Sequence, residues 1–216
     1  HEGKYWSFEA HSIRPRPLQQ PMPPIYVAAV ATPETYRWAG RNGYHLMLAP
    51  FLLDSTERQR SYVELYHEEL MKAGHNPSEF EVLGIYHLSI VAHEDQLEGA
   101  DEHFYRYLKY IRGLGQDAWA DALRLRGSDA SSRGLTGEAN RYYQPGEGMA
   151  ADIEEMRAQR TVIGTPEQCV ERMAELAAGC GLNGWMFELS YGGVPYERVT
   201  EQLHLFAEEV IPQLRT

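Results

Sequence analysis

Apolar and polar positions along the chain repeat one order, in which a short apolar run is followed by a stretch with helical spacing. The apolar runs predict four strands: Ile25–Ala31, His45–Ala49, Phe80–Val91 and Gly184–Ser190. Apolar stripes, caps and closing glycines predict the helices between and after them. These are Pro33–Asn42 closed by Gly43; a helix capped by Asp54 or Ser55 with Tyr62, Tyr66 and Leu70 on one face; a stripe of Leu97, Ala100, Phe104, Leu108 and Ile111; a helix opened by Thr165 with Val170, Met173, Leu176 and Ala177 inward; and a last helix with Leu203, Phe206, Val210 and Ile211.

This strand–helix order indicates parallel strands joined by right-handed crossovers, and therefore an α/β fold. Two architectures satisfy the order: an open doubly wound sheet, or part of a (β/α)8 barrel. No G-x-G-x-x-G motif follows any predicted strand, which disfavours a dinucleotide-binding sheet. Four units do not close an eight-stranded barrel, so the pattern alone leaves both architectures open.

Two segments interrupt the strand–helix order. Residues 1–24 contain five prolines, which favour extended backbone and predict an approach segment leading to the first strand. Residues 113–160 combine short helical pieces, glycines and the polar run Ser128–Arg133, which predicts an insertion before the last strand. It would act as a lid that excludes water from a site, or as a disordered surface insertion. We therefore predict one domain over residues 25–216, interrupted by this insertion.

The composition disfavours several classes of partner. The formal net charge is -11 and no basic run is present, so we expect neither nucleic acid nor an anionic membrane surface as a partner. Backbone N–H groups can still bind a phosphate without net positive charge. The two cysteines, Cys169 and Cys180, complete no zinc pattern and predict structural thiols in a reducing cytoplasm. We predict no metal site and no membrane span.

The first strand is followed by Thr32-Pro33-Glu34-Thr35, which predicts the start of a helix with Thr32 as N-cap. A similar start, Thr165-Pro166-Glu167-Gln168, carries a glutamine that can close a capping box by itself. At the first turn the corresponding residue is Thr35, whose hydroxyl closes the box poorly. On pattern alone we favour a capped helix without a ligand. Of the two turns, the first is the better phosphate candidate, because free N–H groups and two hydroxyls face the end of a strand.

Several segments in order resemble the bacterial luciferase-like flavin monooxygenases. They are Gly3–Phe8, Pro15–Gln19, Pro23–Ala29, the Thr-Pro-Glu-Thr turn, Ala39-Gly40 with Gly43, Gly164–Glu167, Gly192–Pro195 and Leu205–Pro212. The resemblance extends over nearly the whole chain and is weakest in residues 113–160. It implies a TIM barrel, (β/α)8, of which this chain supplies strands five to eight. The first four strands, with the family's catalytic residues of that half, have no counterpart in the chain.

The resemblance also implies where the flavin binds. The turn after strand five holds the FMN phosphate in the family, which corresponds to Thr32 and Thr35. Alanines before the turn, among them Ala29, leave room for a flat ring. The end of strand six lies beside the isoalloxazine in the family. The residues that correspond to it are Ala49, Pro50 and Phe51.

The remaining candidates for catalytic or substrate-binding roles lie within or near the ends of the predicted strands. His87 would donate a proton at the barrel mouth, but we favour a satisfied core or outward-facing histidine. His45 begins a strand and is expected at the opposite, amino-terminal edge. Glu188 would orient substrate or act as a base, although a structural hydrogen bond is the favoured alternative. Tyr191 and Gly192 are expected to line the substrate pocket, while a glycine pair at this position also suits a simple turn.

The resemblance implies that the protein oxygenates a small organic substrate with O2 and reduced FMN. A separate flavin reductase would supply the reduced FMN. Two alternatives remain open: a deazaflavin (F420)-dependent oxidoreductase of the same superfamily, and a flavin-binding protein without turnover. The two outer strands, Ile25–Ala31 and Gly184–Ser190, would be free edges. We expect the missing N-terminal half of the barrel, or a second subunit in a homo-oligomer, to cover them.

Overall fold

The computed structural model describes residues 1–9, 12, 14–50, 55–110 and 161–214. Its sheet has five strands: β1 (Tyr26–Ala29), β2 (His45–Leu48), β3 (Val82–Ile90), β4 (Thr161–Gly164) and β5 (Gly184–Glu188). All paired strands are parallel, in the order β1-β2-β3-β4, and β5 also pairs with β3. The predicted parallel α/β fold is therefore confirmed. The predicted number of strands was too low by one, because β4 was not recognised.

Helices connect the strands in the predicted order. They are α1 (Pro33–Arg41), α2 (Thr56–Lys72), α3 at residues 97–110, α4 (Pro166–Cys180), α5 (Tyr196–Leu205) and α6 (Ile211–Leu214). A π-helical segment, Phe206–Val210, joins α5 to α6. Short 3-10 turns at Pro77–Glu79 and Glu94–Gln96 flank β3. The predicted insertion, 113–160, lies outside the described residues.

The observed strands are shorter than the apolar runs that predicted them. Ile25, Val30 and Ala31 lie outside β1, because its partner β2 offers only the four positions His45–Leu48. Likewise β5 ends at Glu188, where its alignment with His87 of β3 ends. Apolar character therefore indicated these four strands correctly but overestimated their length by at most two residues at an end.

The main hydrophobic core lies between one face of the sheet and three helices. Its strand residues include Leu46, Leu48, Val82, Tyr86, Leu88 and Ile90, and its helix residues include Tyr36, Val63, Tyr66, Leu70, Cys169, Met173 and Cys180. Both cysteines are buried free thiols, as predicted. None of the described helices has the length and apolar character needed to cross a membrane.

The other face of the sheet is less covered. Aligned neighbours Ala28, Met47 and Leu83 form a row across three strands, and Ile85 and Met186 form the next pair. Ala28 and Met186 are exposed and the other three are half-buried. In a (β/α)8 barrel this face points to the interior, because the helices occupy the outside.

Helix α3 covers the carboxyl-terminal part of that interior face. Phe104 and Leu108 of α3 are buried with Tyr191, and Tyr107 and Ile163 pack against them. These residues form a second, smaller core. It separates the end of β3 from solvent and surrounds His87.

Candidate functional site

The turn after β1 places Thr32 at the N-cap of α1 with extended backbone, and Pro33 at the first helical position. The Thr35 N–H donates to the Thr32 carbonyl at 3.0 Å. The Thr32 side chain makes no capping hydrogen bond, contrary to the predicted cap, and it is exposed. Its hydroxyl is therefore available to an anion at the positive end of the helix.

The turn at Thr165 is built differently. The Gln168 side-chain oxygen accepts from the Thr165 N–H at 3.0 Å, and the Thr165 hydroxyl accepts from the Gln168 N–H at 3.5 Å. The same hydroxyl donates to Glu167 at 3.0 Å. The predicted capping box is therefore confirmed, and it occupies the groups that an anion would need.

The residues around the first turn divide between the two faces of the sheet. Ala29 has 4% of its surface exposed and belongs to the main core, whereas Ala28 is exposed on the interior face. The small side chain of Ala28 therefore leaves open space on the interior side of the turn. Ala29 packs in the main core on the opposite side of the sheet. Ala49 and Pro50 follow β2 and are half-buried. Phe51 lies outside the described residues.

A second group of candidates surrounds His87 in the smaller core. The His87 ring centroid lies 4.6 Å from that of Tyr107, 5.0 Å from that of Tyr191 and 5.5 Å from that of Phe104. Only 3% of His87 is exposed. This burial lowers the pKa of His87 to about 4, so its imidazole is neutral at pH 7. His87 is thus a core histidine rather than an outward-facing one.

His87 also contacts Glu188 on the neighbouring strand. The two residues are aligned partners of β3 and β5, and His87 Nε2 lies 3.4 Å from Glu188 Oε2. Glu188 has 44% of its side chain exposed, and partial burial raises its pKa. Because the imidazole is neutral at pH 7, this contact is a long polar contact rather than an ion pair. With this exposure, the Glu188 side chain can exchange a proton with solvent.

Tyr191 and Gly192 follow β5 and hold α3 in place. Tyr191 is buried beside Ser89, and burial raises the pKa of its phenol. Gly192 has φ +59°, and a Cβ built on it would lie 1.8 Å from the His103 carbonyl oxygen. The Gly192 carbonyl lies 3.2 Å from His103 Nδ1. Gly192 therefore permits close contact with α3, which is a packing role beside the predicted pocket role.

The structure brings His87, Glu188 and Tyr191 together and places Thr32 and Thr35 after another strand of the same sheet edge. His45 begins β2, at the opposite edge as predicted, and its Nδ1 accepts from the Glu81 N–H at 2.9 Å. The predictions did not include Ser89, although it lies two residues after His87 and therefore on the same strand face. No group of three or more His, Cys, Asp or Glu side chains in the described ranges is arranged to hold a metal ion.

Comparison with known proteins identifies the family. The sequence model of the luciferase-like monooxygenases matches residues 1–183. This chain belongs to the luciferase-like monooxygenase family. The oxygenase component of the flavin-dependent trigonelline monooxygenase of Acinetobacter baylyi is 24% identical over 219 residues, covering 98% of this chain and 54% of that protein.

Solved structures show the same fold. The coenzyme F420-dependent tetrahydromethanopterin reductase of Methanopyrus kandleri superposes with a TM-score of 0.62 at 20% identity, covering 99% of this chain and 57% of its own. The oxygenating constituent of 3,6-diketocamphane monooxygenase of Pseudomonas putida, in complex with FMN, gives 0.62 at 18% identity with the same coverage. The chain spans about half the length of these relatives. Its fold is therefore part of a (β/α)8 barrel, as the resemblance implied.

Proposed function

We propose that this chain carries the flavin-phosphate site of a luciferase-like, FMN-dependent monooxygenase. The observation that carries the proposal is the open turn after β1, where Thr32 offers an exposed hydroxyl that does not cap its own helix. Small residues beside the turn and the N-terminus of α1 suit a phosphate joined to a flat ring. The turn at Thr165 lacks this property, because its box is closed.

In this proposal Thr32 and Thr35 bind the phosphate, with Ala29 supporting the turn. Ala49, Pro50 and Phe51 lie along the isoalloxazine. When bound, reduced flavin supplies the electrons that activate O2 for transfer of one oxygen atom to a small organic substrate. A separate flavin reductase supplies the reduced flavin, and the family relative described as an oxygenase component supports this division.

The group around His87 serves the substrate side of the site. The half-exposed Glu188 side chain accepts a proton from the substrate, and His87 Nε2 lies 3.4 Å from its Oε2 and restricts its position. Tyr191 and Gly192 line the pocket beside them. The packing of α3 over His87 and Tyr191 keeps water from that part of the interior face.

The proposal extends to the organisation of the protein. Residues 25–216 form one domain with the insertion 113–160, and residues 1–24 lead into it. Among the described residues, β1, β4 and β5 each pair with a single strand. We expect these edges to be covered by other strands of the barrel, from the same polypeptide or from a second subunit in a homo-oligomer.

Titration of the purified protein with FMN, riboflavin and F420, followed by flavin absorbance and fluorescence, tests the function. We expect FMN to bind more tightly than riboflavin, and added flavin reductase with NAD(P)H to drive oxygen uptake beyond free-flavin oxidation. Preference for F420 would instead indicate the deazaflavin branch, to which the Methanopyrus relative's name refers. Tight FMN binding without added oxygen uptake would indicate a flavin-binding protein without turnover. Equal affinity for FMN and riboflavin would contradict the phosphate site.

A further inference from the structure

A buried hydrogen-bond chain holds the turn after β1 from behind. The Tyr36 hydroxyl of α1 donates to the carbonyl of Val30, the residue that follows β1, at 2.8 Å. The Gln59 side-chain amide of α2 donates to the same hydroxyl at 3.1 Å. Tyr36 and Gln59 both have 0% of their surface exposed. The two bonds therefore connect the turn to both helices that follow it.

The directions of these bonds follow from counting protons. A phenol has one proton, and the Val30 carbonyl can only accept, so the Tyr36 proton belongs to that bond. The phenol oxygen can then only accept from Gln59, which requires the NH2 group of the amide to face Tyr36. Burial raises the pKa of Tyr36 to about 12, so the phenol keeps its proton throughout the physiological range.

This orientation leaves the other end of the amide without a partner. Gln59 Oε1 is buried and accepts no hydrogen bond from the residues that the structure describes. A buried acceptor without a partner destabilises a fold, and an apolar side chain of similar shape would avoid that penalty. The amide at this position therefore has a role other than stability, and its visible contact is with Tyr36.

We propose that Tyr36 and Gln59 are positioning residues that hold the Val30–Thr32 turn in the geometry that binds the flavin phosphate. The proposal rests on the proposed function of this turn. Val30 is separated from Thr32 by one residue, so a shift of its carbonyl changes the direction of the Thr32 hydroxyl. Small displacements of this kind weaken binding that depends on aligned donors.

The structure contains a matched control. The Tyr66 hydroxyl donates to the Tyr44 carbonyl at 2.8 Å, from a side chain that is also fully buried. Tyr44 precedes β2 at the opposite edge of the sheet. Tyr66→Phe therefore removes the same type of bond at the same distance, in a place where it does not support the turn.

The test compares FMN and riboflavin dissociation constants for the purified parent protein, Tyr36→Phe, Gln59→Met and Tyr66→Phe. We expect Tyr36→Phe and Gln59→Met to weaken FMN binding at least about fivefold and to leave riboflavin binding within about twofold. Tyr66→Phe should leave the ratio of the two constants unchanged. Gln59→Met should melt at or above the parent temperature, because it removes the unpaired acceptor. A merely structural role would leave the ratio unchanged in all three variants.

The double variant Thr32→Ala/Thr35→Ala separates the two levels of the proposal. If it lowers the FMN preference while Tyr36→Phe and Gln59→Met do not, the positioning role is overturned and the phosphate site stands. If the double variant also leaves the preference unchanged, the phosphate lies elsewhere and both are overturned. An equal loss in Tyr66→Phe would show general loosening and would overturn the positioning role. Gln59→Met keeps the Tyr36 hydroxyl, so it carries the test if Tyr36→Phe does not fold.

Discussion

His87 and Glu188 are aligned neighbours on adjacent parallel strands, with His87 Nε2 3.4 Å from Glu188 Oε2. His87 is almost fully buried among aromatic rings, and the Glu188 side chain is partly exposed to solvent. Burial lowers the pKa of His87 to about 4 and raises that of Glu188. At neutral pH the His87 imidazole is therefore neutral, and both groups titrate away from their ordinary ranges.

Stability should depend on the protonation of His87. Its pKa falls from 6.5 in the unfolded chain to about 4 in the fold, so the unfolded state binds more protons between these values. The stabilisation is present above pH 6.5 and is lost as the pH falls toward 4, by on the order of 3 kcal/mol. The raised pKa of Glu188 opposes this slope, because the fold then retains a proton that the unfolded chain has released.

Urea unfolding of the parent and of His87→Phe across this pH range measures the effect. The variant should show a flatter pH dependence, since an aromatic ring replaces the titrating group within the cluster. His204, which is exposed, provides the control variant His204→Gln. An unchanged slope in His87→Phe would show that His87 does not change its protonation on unfolding.

Replacement of both hydroxyls at the first turn should weaken FMN more than riboflavin. Thr32→Ala/Thr35→Ala removes two donors to the phosphate, at about 1–2 kcal/mol for each charge-assisted bond that is lost. Riboflavin lacks the phosphate, so its affinity should change little. Parallel fluorescence titrations measure both constants, and equal losses for the two ligands would place the phosphate elsewhere.

A substitution in the turn at Thr165 should lower stability and leave flavin affinity unchanged. Thr165 closes a capping box with Gln168, so Thr165→Ala should cost about 1 kcal/mol of unfolding free energy. Flavin affinity should stay at the parent value, because the groups of this turn are already paired. A large loss of affinity with unchanged stability would reverse the assignment of the two turns.

The sequence predicted the helix starts well because caps and prolines act over four residues. Ser55 illustrates this, since its side chain accepts from the Arg58 N–H at 3.2 Å as a predicted cap. It did not predict β4, Thr161–Gly164, which has only two apolar side chains, Val162 and Ile163, and lies directly between the predicted insertion and the helix opened by Thr165. The pairing of Tyr36 with Gln59 joins residues 23 apart, and the aromatic ring contacts of His87 come from α3 and from Tyr191. Such contacts depend on tertiary packing and leave no local signal.

Replacement by alanine should destabilise the protein more at Gly192 than at the neighbouring Gly193. Both have positive φ, +59° and +77°, so alanine is strained at either position. A Cβ at Gly192 would also meet the His103 backbone at 1.8 Å, whereas one at Gly193 meets only the flexible Arg106 side chain at 3.3 Å. Gly192→Ala should therefore displace α3 and cost about 1–3 kcal/mol more than Gly193→Ala. Chemical denaturation measures the difference, and tyrosine near-ultraviolet dichroism should report the disturbed cluster.

The edges of the sheet lead to a prediction about association. In the described residues β1 and β5 each have one strand partner, and the interior face exposes Ala28 and Met186. Unpaired strand edges beside apolar surface favour pairing with other chains. Residues 1–216 expressed alone should therefore be oligomeric or poorly soluble and should bind FMN weakly, because part of the pocket wall is uncovered. Light scattering after size-exclusion chromatography measures the state, with a FMN titration in parallel. A soluble monomer with sub-micromolar FMN affinity would contradict this prediction, and would favour an open flavoprotein whose edges are protected by its own residues.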